Sequence, residues 1–269
     1  MLRLAGRPVL PCLMLSVAMV NVGRTQGLTS PTADEILARM VVKNAERRAA
    51  LEHYVSERTY RVEYKGTGGE HFGEMRVHAE YSAPDQKRFT VVSEAGSKLI
   101  CEKVLRRLVE GEQEATEESN RRQAMLSAGN YNVELVGTEQ IDGIRAWVLK
   151  VSPKVSTKFT YRGKVWVSED DFAVMRVHGE PAKNPSWWIN RTSFDSRYVR
   201  RGEFWLPGKN VSTSHVRIGG EATLTIDYGE YQTLAGKAVR SGEEVSAGVA
   251  RSREAQLVGG KVGLATLPQ

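Results

Sequence analysis

Gly163-Lys164-Val165-Trp166-Val167-Ser168-Glu169-Asp170-Asp171-Phe172-Ala173-Val174-Met175-Arg176-Val177 lies inside a hairpin: one strand over 157–168, a tight turn at Glu169-Asp170-Asp171, and a second strand over 172–180. The neighbouring sequence repeats this grammar, and that repetition decides the fold. Upstream, strands over 131–139 and 144–151 flank Asp142-Gly143, a dipeptide suited to the positive-φ positions of a two-residue hairpin turn. Downstream, strands over 188–200, 204–217 and 222–231 are joined by turns at Arg201-Gly202 and Gly219-Gly220. Hairpin following hairpin with short connections makes a meandering antiparallel sheet, because parallel strands need long crossovers.

Towards the N-terminus, Tyr60, Val62 and Tyr64 alternate with Arg61, Glu63 and Lys65, the period of a half-buried strand. Gly66-Thr67-Gly68-Gly69 makes the next turn, a strand over 70–82 stops before Pro84, and another covers 88–92. Two segments read as helical. Thr32-Ala33-Asp34-Glu35 fits a capping box, and Ile36, Leu37, Met40 and Val41 recur at helical spacing, which predicts a helix over about 33–52. From Lys98 to Met125, Leu99, Ile100, Val104, Leu105 and Leu108 form a stripe. The acidic stretch Glu110 to Glu118 follows, read as a solvated helix face in preference to a mobile loop. The expectation is one α+β domain over 31–233, of about ten strands and two helical segments, and a sheet that long tends to curl.

Composition bounds the function. The 269 residues carry 38 Lys+Arg against 32 Asp+Glu and 41% hydrophobic residues, which excludes a wholly disordered chain. Two cysteines exclude a disulfide scaffold and a cysteine-rich zinc module. Arg3 and Arg7 precede an apolar run from Val9 to Val22, followed by small residues, so 1–27 reads as a secretory signal peptide rather than a retained anchor. Cys12 after Pro11 is a poor lipoprotein processing site. Removal of 1–27 leaves 35 basic and 32 acidic residues, a net +3, and the basic-patch argument for nucleic acid loses its weight. Residues 234–269, rich in Gly, Ala, Ser and Val without a period, are expected to be a disordered tail. An exported, monomeric, periplasmic protein is expected.

Catalytic motifs are missing: the chain has no HExxH, GxSxG, Walker loop or helix-opening GxGxxG. His71 and His78 lie near Glu70, Glu74 and Glu80, but charged residues alternating on a strand face account for them better than a metal site. Met75-Arg76-Val77-His78-Ala79-Glu80 echoes Met175-Arg176-Val177-His178-Gly179-Glu180, which needs only two strands with the same in–out pattern. No enzyme activity, cofactor or metal is expected. The strand aromatics form either a packed core or the lining of a groove able to take an acyl chain, the core being favoured. Trp187-Trp188, after Asn184 and Pro185 in a loop, fit a cavity mouth or a contact with a partner or membrane surface.

The hairpin over 163–177 resembles that of periplasmic lipoprotein carriers of the LolA/LolB type, above all the bacterial outer-membrane lipoprotein-sorting proteins. Gly202-Glu203-Phe204-Trp205-Leu206-Pro207, then Val216-Arg217-Ile218 and Leu224-Thr225-Ile226-Asp227-Tyr228, resemble the following part of the pattern. The likeness spans about residues 33–232. It implies an incomplete antiparallel β-barrel with helices covering the concave face and an apolar cavity for lipoprotein acyl chains. It implies no catalytic residues. Tyr60, Val62, Tyr64, Val165, Val167, Leu224 and Ile226 would face that cavity, and Ile36, Leu37 and Met40 would be lid contacts. Related folds also act as envelope-stress sensors, so a signalling or scaffold protein holding a partner, such as an envelope membrane protein, on the same concave face is the alternative. The acidic 110–118 segment and the long tail depart from a minimal carrier.

Overall fold

The period-two alternation around Tyr60 runs through a sixteen-residue strand, β1 (Leu51–Gly66), in a computed structural model that describes residues 30–184, 187, 189–217 and 219–235. The expected signal segment, Trp188 and the expected tail beyond 235 lie outside the described residues. Ahead of β1 comes α1 (Ala33–Ala50), started by the expected capping box, in which Thr32 accepts from the Glu35 amide and the Glu35 carboxylate accepts from the Thr32 amide. β2 (Gly69–Ser82) and β3 (Gln86–Gly96) follow. A helical strap comes next, made of α2 (Lys98–Ile100), a π-helical turn (Cys101–Leu105), α3 (Arg106–Ala115) and α4 (Glu118–Ala124). The rest is one meander: β4 (Tyr131–Ile141), β5 (Ile144–Pro153), β6 (Tyr161–Ser168), β7 (Val174–Pro181), β8 (Ile189–Arg201), β9 (Phe204–Val216) and β10 (Glu221–Ala235).

All ten strands join one open antiparallel sheet in the order β3-β2-β1-β10-β9-β8-β7-β6-β5-β4. The two meanders meet where β1 pairs with β10, with Tyr60 opposite Ile226 and Val62 opposite Leu224. The sheet does not close: β3 and β4 are its edges, and the strap connects them along the chain. Local chemistry supports this path. Asp142 and Gly143 both take positive φ, 50° and 82°, as a type I′ hairpin turn needs. Gly163 and Gly179 face each other across β6 and β7, where a Cβ on Gly163 would stand 2.1 Å from the His178 carbonyl oxygen.

Helices cover one face of the sheet in two places, each over its own apolar cluster. Ile36, Leu37 and Met40 of α1 pack with Leu149, Val151, Val165, Val167 and Val177. Cys101, Leu105 and Leu108 of the strap pack with Tyr60, Val62, Met75, Val77, Leu224 and Ile226. Gly73 on β2 admits the strap, since a Cβ there would lie 2.6 Å from Ile100 Cγ2. Met75 with Val77, and Met175 with Val177, are all buried, so the repeated hexapeptide is two strands with one pattern.

Several expectations change in detail. The inward stripe of the strap is Cys101, Leu105, Leu108, Glu112 and Ala115, with the wider π turn at its start, and Leu99 is left 68% exposed. The acidic stretch is not uniformly solvated. Glu110, Glu117 and Glu118 are exposed, but Glu112 points inward because a buried arginine awaits it. Residues 157–160 form a loop in place of strand, its Thr157 amide donating to the Thr160 hydroxyl. β3 outruns the expected 88–92, and β10 continues to Ala235, where it pairs with the start of β1.

Candidate functional site

The two helical covers leave a gap between them. There a cavity of about 170 Å³ opens between the last turns of α1 (Asn44, Arg47, Arg48), the far end of the strap (Glu112, Ala115, Arg121) and the sheet. Tyrosines make much of its floor. Tyr54 stacks on Tyr81 at 5.2 Å between ring centres and meets Tyr231 edge-on at 5.3 Å. Phe204, Leu206 and Pro207 of β9 and Tyr198 of β8 complete the sheet wall. A second cavity of about 100 Å³ adjoins it under α1, lined by Met40, Met125, Leu126, Tyr161, Val174 and Val177, and it shares Asn44, Arg48 and Tyr198 with the first.

A buried ion pair stands on the first cavity's wall. Arg58 and Glu112 are 2% and 4% exposed; Arg58 Nη1 donates to Glu112 Oε2 at 2.7 Å, and the Tyr60 hydroxyl donates to Oε1 at 2.8 Å. The guanidinium also lies over the rings of Tyr228 and Phe89, at 4.9 and 5.2 Å. Burial alone pushes Arg58 towards its neutral form, but the Glu112 carboxylate overrides this and holds its pKa well above the ordinary value. Burial, then the charge of Glu112, push the Tyr60 hydroxyl well up, so it remains a donor. The Arg58 Nε–H is buried with no hydrogen-bond acceptor.

The rim is fixed by the turn that opened the sequence reading. Asp171 accepts from Trp205 Nε1 at 2.8 Å and from the Ala173 amide at 3.2 Å, and pairs with Arg47 of α1 at 3.4 Å. Burial works to raise its pKa, but these donors and the Arg47 charge leave it below the usual carboxylate range. Phe172 takes a positive φ of 58°, its ring packed on Trp147 with the Arg39 guanidinium above it. On the opposite rim Arg121 pairs with Asp85.

The residues singled out from the sequence separate into groups. Val165 and Val167 lie fully buried beneath Ile36, Leu37 and Met40. Tyr60, Val62, Leu224 and Ile226 lie beneath the strap. Tyr64 sits at the end of β1, its hydroxyl donating to the Gly219 carbonyl. None of these seven lines the two cavities, although Met40 lines the second. Trp187 is 69% exposed, away from both cavities, and Trp188 is outside the described residues. His71 faces the Gly68 carbonyl oxygen and His78 meets Glu57 at 2.7 Å, so they serve different partners. Arg58 and Glu112 carried a signal: Arg58 is in phase with Tyr54, Tyr60 and Val62, and Glu112 lies four residues after Leu108.

Three solved structures are similar to this chain. A LolA superfamily protein from Nitrosomonas europaea is 14% identical, with 76% of this chain and 94% of that one covered and a TM-score of 0.37. An outer membrane lipoprotein-sorting protein domain from Vibrio parahaemolyticus is 12% identical, with 76% and 92% covered and a TM-score of 0.40. The MucA/MucB complex of Pseudomonas aeruginosa is similar at 11% identity, 73% and 93% coverage and a TM-score of 0.24. No family model matches the chain, and no curated protein matches it. Among the described residues no helix is long and apolar enough to cross a membrane.

Proposed function

We propose that this chain is an exported carrier that holds acyl chains of a lipid or lipoprotein between its helical covers and the sheet, serving outer-membrane lipoprotein sorting. The observation that carries this reading is the pair of adjoining cavities where α1 and the strap fail to meet over an open sheet. At about 170 and 100 Å³ they are smaller than the roughly 300–1,000 Å³ of sites for drug-sized ligands, so a long chain enters only as a cover lifts. Lifting α1 uncovers Ile36, Leu37 and Met40, at a cost of about 5–9 kcal/mol. A sixteen-carbon chain buried in their place contributes roughly 12 kcal/mol at about 0.8 kcal/mol per methylene. Cargo therefore offsets opening; Val165 and Val167 are the proposed walls where α1 lifts, and Tyr60, Val62, Leu224 and Ile226, with Tyr64 at the end of β1, those where the strap lifts. The work is binding and release, with no bond chemistry.

Native mass spectrometry of the mature protein purified from envelope extracts tests this. Co-purifying lipid or lipopeptide, lost when Val62 or Leu224 is made charged in a variant that still folds, supports the carrier. A clean apo mass together with failure to bind an added acyl probe overturns it in favour of a partner-protein reading, for which the exposed Trp187 is the natural contact.

A further inference from the structure

The charges around the first cavity do not balance. Arg47, Arg48, Arg58, Lys87 and Arg121 line it against only Asp85 and Glu112. Both acids are already engaged, Asp85 by Arg121 and Glu112 by Arg58 and Tyr60. Arg47 is taken by Asp171. The Lys87 ammonium, on a half-buried side chain of β3, has no ion pair or hydrogen bond to another described residue. Arg48 is crowded: burial, then the like charge of Arg121, lower its pKa. Arg58 adds a buried Nε–H that no protein group accepts. A partly desolvated lining of five cations and two carboxylates is stabilised by an incoming anion.

Position makes the excess informative. Arg48 lines both cavities, so the cationic wall stands at the mouth of a mostly apolar pocket built from Met40, Leu126, Val174 and Val177. An apolar slot with a cationic threshold fits a molecule having one anionic end and one hydrocarbon end. We infer that the site selects an anionic amphiphile, its carboxylate or phosphate held by Arg48, Lys87 and Arg121 and its tail entering beneath α1. This rests on the acyl-binding reading and narrows the cargo class.

The test uses the mature protein and four probes in isothermal titration calorimetry: hexadecanoate, hexadecyl phosphate, hexadecanol and inorganic phosphate. The two anionic amphiphiles should bind at least about tenfold more tightly than hexadecanol, a gap that narrows at high salt. Lys87→Gln should weaken the anionic amphiphiles about fivefold and leave hexadecanol unchanged. Met125→Glu, at a partly exposed position on the apolar slot, should weaken all three chains. Equal binding of hexadecanol and hexadecanoate overturns the headgroup selection and leaves the acyl carrier standing. No binding by any chain overturns both. Inorganic phosphate binding as tightly as hexadecyl phosphate overturns the amphiphile and makes this a free-anion site.

Discussion

Replacing Glu112 by alanine should destabilise this domain by about 3–5 kcal/mol. Glu112 is 4% exposed and is the carboxylate facing Arg58, itself 2% exposed. Removing it leaves a guanidinium in the interior with the Tyr54 hydroxyl at 3.3 Å and two aromatic faces as its remaining partners. Breaking a buried pair from one side costs about 3–5 kcal/mol, and the Tyr60 hydroxyl loses its acceptor as well. Domains are stable by about 5–15 kcal/mol, so the loss is a large share of the total. Alanine is the better helix former in α3, so the loss cannot be laid to helix propensity. Urea unfolding of wild type, Glu112→Ala, Arg58→Met and the double variant Arg58→Met/Glu112→Leu measures it. Each single variant should lose roughly 3–5 kcal/mol, and the double variant should recover most of that, because apolar side chains of similar volume replace a buried pair at little cost. A loss below about 1 kcal/mol for Glu112→Ala, or a double variant as unstable as the singles, would refute the view that this pair fastens strap to sheet.

Two further outcomes follow from the contacts of the covers. Gly73→Leu places side chain where Ile100 already stands 2.6 Å from a Cβ, so it should cost about 1–3 kcal/mol and raise amide exchange across 98–124 while α1 keeps its protection; unchanged exchange there would show that the strap does not bear on β2. Asp171 is held below the usual carboxylate range, so its stabilising contribution is complete above that range and disappears as pH falls through the folded value. The urea midpoint of the wild type should therefore drop more between about pH 6 and about pH 2.5 than that of Asp171→Asn, and equal drops would remove Asp171 from the account of how α1 is anchored.

Sequence alone determined the elements, because their signals are local. Period-two alternation, Asp142-Gly143, the Thr32–Glu35 capping box and glycine turns each act within a few residues, and together they specify two meanders and two helical covers. Strand ends were less legible: Thr157 to Thr160 looks extended by composition, but its hydroxyl and amide bonds close on one another. What only the tertiary structure decided was which side chains meet. Glu112 reads as one acid among several until α3 places it 2.7 Å from an arginine fifty-four residues earlier. Val165 and Ile226 look alike in sequence, yet each lies under a different helix because β1 pairs with β10 and sets the two meanders side by side. The cavity exists only because the two covers stop short of each other. Charge pairing and a gap between elements depend on residues distant along the chain, and no local pattern encodes them.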